Sequence, residues 1–290
     1  MNNIFKHGFF YFIVVLSLIG CNRIKQSKTQ IIRDSIDSME VRDIQSQLTI
    51  DTLQNELPSL HLKFTSGHVK ADLITSKDSV STERCGMDKK LIDSLGKIYH
   101  NVFELSERAE KIILSQPRMN ADVRRTDKGL EVKLASGEWV TSMSRGHDTD
   151  GRRDVFEHYY TAQGYYLIHS LWDEGEVYML IDKNGGEAYE MFGPPCFSPQ
   201  GKFALSISSD VVAGYIPSGI QLWEKDDQGK LLPVLTYDAG QWGCTGVQWL
   251  NENEAILQCE YQSEDVGASK PSTKKFYAKL TLFDTPHASR

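Results

Sequence analysis

No cluster of lysine and arginine marks this sequence, and 32 basic against 39 acidic side chains leave a formal charge of −7. That balance excludes the basic face with which proteins neutralise nucleic-acid phosphates. No two cysteines stand two to four residues apart, so the ligand spacing of a zinc site is missing. No Gly-x-Ser-x-Gly elbow is present to seat a serine nucleophile. No apolar run reaches the roughly 20 residues that a membrane-spanning helix needs. What is present is ordinary for a folded protein. Hydrophobic residues make up 40% and charged residues 24%, and 290 residues leave room for one or two domains.

The longest apolar run, residues 8–20 (GFFYFIVVLSLIG), follows a short start carrying Lys6. Its length suits the h-region of a signal peptide. It ends in Leu18-Ile19-Gly20-Cys21, which resembles a bacterial lipobox: a branched apolar residue, a tolerated one, a small one, then cysteine. The resemblance covers residues 1–21. It implies a signal peptide over 1–20, cleavage before Cys21, diacylation of the Cys21 sulfur and anchorage to a membrane by several acyl chains. The alternative is an uncleaved N-terminal anchor in which Cys21 is incidental. Asn22 does not resemble the aspartate that marks inner-membrane retention, which implies the outer membrane.

Outside the cytoplasm disulfides can form. Cys85, Cys196, Cys244 and Cys259 remain, and four cysteines allow three pairings between which sequence cannot choose. Cys244 and Cys259 sit on the two arms of an expected hairpin and are the pair to test first. Buried free thiols are the alternative.

Taken in order, residues 21–29 are polar and read as a tether. Over 30–57 the triplets Ile32/Ile36/Met39, Val41/Ile44/Leu48 and Ile50/Leu53/Leu57 are helically spaced but slip in phase. They suit a coiled-coil stalk or a solvated amphipathic helix, stopped by Pro58. Residues 58–87 have no clean period and read as a linker, with one strand possible where His61, Lys63 and Thr65 alternate with Leu62, Phe64 and Ser66. Residues 88–117 read as one long amphipathic helix with Asp88 as N-cap. Its apolar face is Leu91, Leu95, Ile98, Val102, Leu105, Ala109 and Ile112.

From Ala121 the period becomes two and stays so. All five tryptophans follow. Residues 129–144 predict a hairpin turning at Ser136-Gly137. Four strands are expected across 157–192, four more across 193–237 and three across 246–284, separated by turns that mostly contain glycine, with a loose tail after 285. These units recur every 40 to 50 residues, a period of propeller blades. The stretch FSPQGKFALSIS resembles the Phe-Ser-Pro-Asp-Gly-Lys turn of TolB-like and WD40-like propeller repeats, and Gly219-Ile220-Gln221-Leu222-Trp223 resembles the strand that follows it. The resemblance covers about the last 165 residues and is sharp only in the middle unit. It implies a mainly β domain of propeller-like antiparallel repeats over 118–285, preceded by helical segments. The 129–144 hairpin could complete the last unit. An incomplete propeller covered by the 88–117 helix, or a two-sheet sandwich, are the alternatives. No activity carries over.

Candidates for chemistry are sparse. His147, Asp148, Asp150 and Asp154 crowd one stretch, but Gly151 follows Asp150 directly and Arg152-Arg153 stand where calcium ligands would be needed, so an exposed polar loop is expected. His158 and His169 lie in expected strands without a placed nucleophile, and Ser198 precedes proline in a turn. Asp173-Glu174 and Asp226-Asp227 are adjacent turn carboxylates, unlike the facing pair of a glycosidase. Trp172, Tyr215, Trp242 and Tyr261 fall at or near strand ends, where they either line a recognition surface or fill the core. Loop 210–218 (DVVAGYIPS) is the strongest candidate, since Val211, Val212, Tyr215 and Ile216 are too apolar for an idle exposed loop.

The expectation is therefore a lipid-anchored envelope protein with no catalytic residue, metal or cofactor. It would act as a binding or scaffold module for another envelope component, a protein, through Val212, Tyr215, Ile216, Trp172 and Trp242. The alternative is an envelope hydrolase acting on glycan or peptide with a loop-built site. Cys21→Ala is expected to abolish labelling by a fatty-acid probe; unchanged labelling would contradict the lipobox reading.

Overall fold

A computed structural model describes residues 45–49, 59–66, 69–82, 85–86, 88–142, 152–173, 175–263 and 272–284. All fall within one unit of the chain, Asp43–Arg290. The expected signal peptide, lipobox and tether, most of the 30–57 helix, loop residues 145–151 and the tail lie outside the described residues.

The first described elements correct the reading of 30–87. β1 (Gln45–Thr49), β2 (Ser59–Ser66) and β3 (Val69–Ser76) are strands. β1 pairs with β2 in place of a helix; β2 is the strand that the alternation at 61–66 allowed, and its partner β3 stands in place of a linker. The period is two throughout: Leu60, Leu62, Phe64, Val69, Ala71 and Leu73 are buried, while His61, Lys63, Thr65 and Lys70 are exposed.

The expected 88–117 helix is interrupted. α1 (Lys89–Gly96) is capped by Asp88, whose carboxylate accepts from Lys90 N and Leu91 N. α2 (Val102–Leu114) starts afresh at Asn101, which caps Phe103 N and Glu104 N. α3 (Pro117–Asn120) is a single turn. The restart turns the expected stripe outward at Ile98, Val102 and Ile112, which are exposed. α2 instead buries Ser106, Ala109 and Glu110.

Four antiparallel sheets account for the remainder. β4 (Val123–Thr126), β5 (Gly129–Lys133) and β6 (Trp139–Thr141) form a three-stranded sheet. β7 (Arg153–Tyr160), β8 (Tyr165–Trp172), β9 (Gly175–Asp182) and β10 (Ala188–Met191) form the second. β11 (Cys196–Phe197), β12 (Phe203–Ser208), β13 (Gly219–Lys225) and β14 (Leu231–Asp238) form the third. β15 (Trp242–Asn251), β16 (Glu254–Ser263) and β17 (Ser272–Asp284) join β3, β2 and β1 in the fourth, in the order β1-β2-β3-β17-β16-β15. The last unit is thus completed by β3, running Val69↔Asp284 to Ser76↔Tyr277, and not by the 129–144 hairpin, which stays in its own sheet.

Successive sheets bury their faces on one another. Val123, Leu130 and Val132 of the first pack with Phe156, Tyr166, Ile168 and Ile181 of the second. Tyr165, Leu167, Leu180 and Met191 of the second pack with Ala204 and Leu231 of the third. Phe203, Leu205, Ile220 and Leu222 of the third pack with Leu62, Leu73, Leu257 and Leu280 of the fourth. β8 is consequently covered on both faces and reads as a near-continuous apolar run. β2 and β3 are covered on one face and alternate.

Two crosslinks tie this arrangement. Cys244 and Cys259 face each other in the β15–β16 register and are disulfide-bonded, Cα to Cα 3.9 Å. Cys85 is bonded to Cys196 of β11, Cα to Cα 5.3 Å. The loops they close differ, with separations of 15 and 111 residues. Chain entropy alone then assigns roughly 3 and roughly 5 kcal/mol to the two bonds. Replacing Cys85 and Cys196 by serine is expected to lower stability in urea more than replacing Cys244 and Cys259; the reverse order would show that local packing, not loop closure, dominates.

Candidate functional site

Loop 210–218 connects β12 to β13 and is built to hold one shape. Asp210 Oδ2 accepts from the backbone N–H of Tyr215 (2.6 Å) and Ile216 (3.0 Å). Gly214, at φ 71°, donates its N–H to the Asp210 carbonyl. The base is closed by Ser218, whose hydroxyl accepts from Asp210 N and whose N–H donates to Asp238 Oδ1. With its polar groups spent internally, the loop presents Tyr215 (65% exposed) and Val212 (54% exposed) to solvent. Val211 and Ile216 are half-buried.

Trp242, expected on a recognition surface, is corrected: it is 1% exposed and lies in the core. Its ring meets Phe276 edge-on at 6.1 Å and Tyr237 at 6.0 Å. The strand begins at Trp242 itself, on the face that packs against the third sheet. Tyr261 packs half-buried on the same core. Trp172 ends β8 in the second sheet, half-buried, with the Arg152 guanidinium 5.2 Å above its ring. Asp226 accepts backbone N–H bonds from Gln228 and Lys230 within its turn.

The polar candidates prove structural. Asp154, expected in an exposed loop, is buried in β7 and accepts from the hydroxyls of Ser142 (2.8 Å) and Ser170 (2.6 Å). Glu110 of α2 accepts from Phe156 N and pairs with Arg125, clamping helix to sheet. Burial pushes its carboxyl up, against the lowering effect of Arg125. Ser198 is no free nucleophile. It donates to Glu252 Oε1 and accepts from Phe203 N, while Glu252 also accepts from Gln200 N and Lys202 N. One carboxylate from the β15–β16 turn thereby shapes the whole Ser-Pro-Gln-Gly-Lys turn. Burial pushes His158 down, with Glu157 opposing.

His169 is buried between two carboxylates. A bulge between Phe156 and His158 leaves Glu157 out of the β7–β8 ladder, and it reaches across to His169. Nε2 of His169 lies 2.8 Å from Glu176 as a hydrogen bond. Nδ1 stands 2.8 Å from Glu157 Oε1 as an ion pair. The ring stacks on Tyr178 at 4.1 Å. Burial disfavours the imidazolium, but the two carboxylates outweigh it and raise the pKa to about 9.

Sequence reasoning missed a cavity among the described residues. It lies where edge strands of three sheets, β7, β11 and β15, come together and measures about 440 Å³. Tyr160 and Gln163 enter from β7 and its turn, Pro195 and Phe197 from β11, and Val247, Gln248 and Trp249 from β15. Ser81 and the Cys85–Cys196 disulfide also line it. Beside Ser81, Thr82 bonds Gln258 and lies against Gly246, where a β-carbon would collide with it. Tyr160 donates its hydroxyl to the Pro195 carbonyl (2.9 Å) and Trp249 its Nε1 to the Cys196 carbonyl (3.0 Å). Burial, with Glu157 nearby, raises the Tyr160 phenol far above its ordinary range and keeps it neutral. Gln248 Oε1 is buried without a partner. The clue in the sequence was Trp249-Leu250-Asn251-Glu252-Asn253, which stands in the last unit where the sharp turn stands in the middle one. Among the described residues no three His, Cys, Asp or Glu side chains converge as a metal site requires.

No protein-family model matches the chain, and no curated protein matches it.

Because the folded pKa of His169 lies above the unfolded value near 6.5, its charge stabilises the fold fully below about pH 6.5. That contribution, on the order of 3 kcal/mol, drains away as pH rises through about 9. His169→Gln is expected to be less stable at pH 6 and to lose most of the slope of stability between pH 6.5 and 9. An unchanged slope in urea titrations would contradict the assignment.

Proposed function

We propose that this chain is a lipid-anchored cell-envelope protein whose β domain is a non-catalytic binding or scaffold module for another envelope protein. In this reading Cys21 carries the acyl chains and holds the domain at a membrane, the outer one. The sheets are propeller-like repeats, a reading supported by their order along the chain and by the way each packs on the next.

The observation that carries the binding role is loop 210–218. Tyrosine and valine held in contact with water cost solubility, and a monomer gains nothing by displaying them on a rigid platform. A loop whose backbone is already capped by Asp210 and Ser218 loses little conformational entropy on docking. Tyr215 is then the anchor, with Val212 and Ile216 extending the apolar contact and Trp172 a more distant candidate. Binding in place of hydrolysis is supported by Asp154 and Ser198, which sequence singled out and which are spent on holding the fold, as is Glu252.

The double variant Val212→Ser, Tyr215→Ser is expected to keep its melting temperature within about two degrees, because exposed positions away from special features change stability little. It is expected to lose a partner that the acylated wild type retains when pulled from its own membranes. An identical partner list for both proteins would sink the loop as the docking element.

A further inference from the structure

We propose that the Cys85–Cys196 disulfide is a redox-sensitive latch, opened by a dithiol while Cys244–Cys259 stays closed, a role beyond the loop-mediated docking above and independent of it. The two bonds differ in their surroundings. Cys244 and Cys259 are 2% and 0% exposed and face each other inside the ladder of β15 and β16. A thiol reaches them only when that ladder opens. Cys196 is buried as well, but Cys85 is half-buried and belongs to no helix or strand. Both Cys85 and Cys196 line the cavity of about 440 Å³. An attacking sulfur therefore has an approach to this bond that it lacks at the other.

A thiolate of the dithiol attacks Sγ of Cys85, the S–S bond breaks and Cys196 leaves as a thiolate. The second thiolate of the reductant then attacks its own sulfur in the mixed disulfide and frees Cys85. Two electrons pass from the dithiol to the protein, the dithiol becomes a disulfide, and its two protons end on Cys85 and Cys196. Position gives this step a consequence. Cys196 is one of the two residues of β11, an edge strand that pairs with β12 alone. Bonds from two other sheets end beside it: Tyr160 donates to the Pro195 carbonyl and Trp249 to the Cys196 carbonyl. Gly86 lies so close to Pro194 that a β-carbon on it would stand 2.6 Å from that ring. The disulfide thus holds Cys85 and Gly86 covalently against the junction of the second, third and fourth sheets. Reduction frees them and leaves β11 in its ladder. The large loop that the bond closes makes its reduction the costlier at equilibrium. Excess dithiol meets that cost, and access decides which bond is reduced first.

The test treats the full, oxidised chain with excess dithiothreitol in the absence of denaturant. Thiols are trapped at intervals with N-ethylmaleimide and mapped by mass spectrometry. Cys85 and Cys196 are expected to be labelled about ten-fold faster than Cys244 and Cys259. In the chain trapped with only the first pair labelled, tryptic cleavage between Lys77 and Lys90 is expected to rise about ten-fold, while the tryptophan emission maximum stays in place. Cys85→Ser should show the same cleavage without any reductant and keep Cys244–Cys259 closed. Should that variant fail to fold, the time course of the wild type decides alone. Labelling of all four cysteines at one rate, of Cys244 and Cys259 first, or of none would overturn the proposal. So would unchanged cleavage after the first pair is labelled, or a shift of the emission maximum in step with Cys85 labelling.

Discussion

Face-to-face burial of consecutive sheets is the constraint on which the rest of this structure depends. β8 feels it most, because Tyr165 and Leu167 pack toward the third sheet while Tyr166 and Ile168 pack toward the first. A strand with no wet face has nowhere to put a polar side chain except into a dedicated partner. His169 and Ser170 are the two polar residues in its buried stretch, and each has one. His169 is held between Glu157 and Glu176, and Ser170 bonds Asp154. The bulge in β7 is the backbone's part of the same bargain, since it turns Glu157 toward the imidazole.

The contacts between sheets also explain where a site can form. Side chains close the second and third sheets on each other through Tyr165, whose hydroxyl bonds Gly229, and close the third on the fourth through Glu252 and Trp249. Edge strands of three sheets then converge without filling the space between them, and Ser81 and the Cys85–Cys196 disulfide border the gap. At the far end of β12 no sheet needs the chain between Ser209 and Ser218, and there the loop displays Val212 and Tyr215. One chain thus carries a concave polar–aromatic feature and a convex apolar one, built by different parts of the third sheet.

Much of the architecture was legible. The strands from 153 to 284 lie within a few residues of where alternation and glycine turns placed them, because a strand with a wet face repeats with period two and its turns demand special backbone angles. β3 carried the same signal in Val69, Ala71 and Leu73 against Lys70 and Asp72, but it sits beside a Ser/Thr-rich stretch that reads as linker. The break between α1 and α2 was marked by Gly96 and by Asn101, a residue suited to an N-cap, yet the apolar spacing continued across it and masked it. Trp242 misled for a different reason: composition says that it is aromatic and near a strand end, and only the packing of the fourth sheet says which way it points.

The sequence by itself determined a mainly β domain, the order of its strands, the turn at Ser198 to Lys202 and the apolar character of loop 210–218. Each of these is written in neighbouring residues, through periodicity or turn chemistry. Tertiary structure alone decided that Cys85 joins Cys196, that β3 completes the last sheet, that Glu252 holds a turn more than 50 positions earlier in the chain (Gln200 N to Glu252 Oε2, separation 52), and that a cavity opens beside Gln248. Those facts depend on which sheet faces meet, and residues that meet across faces leave no periodic trace in the chain that joins them.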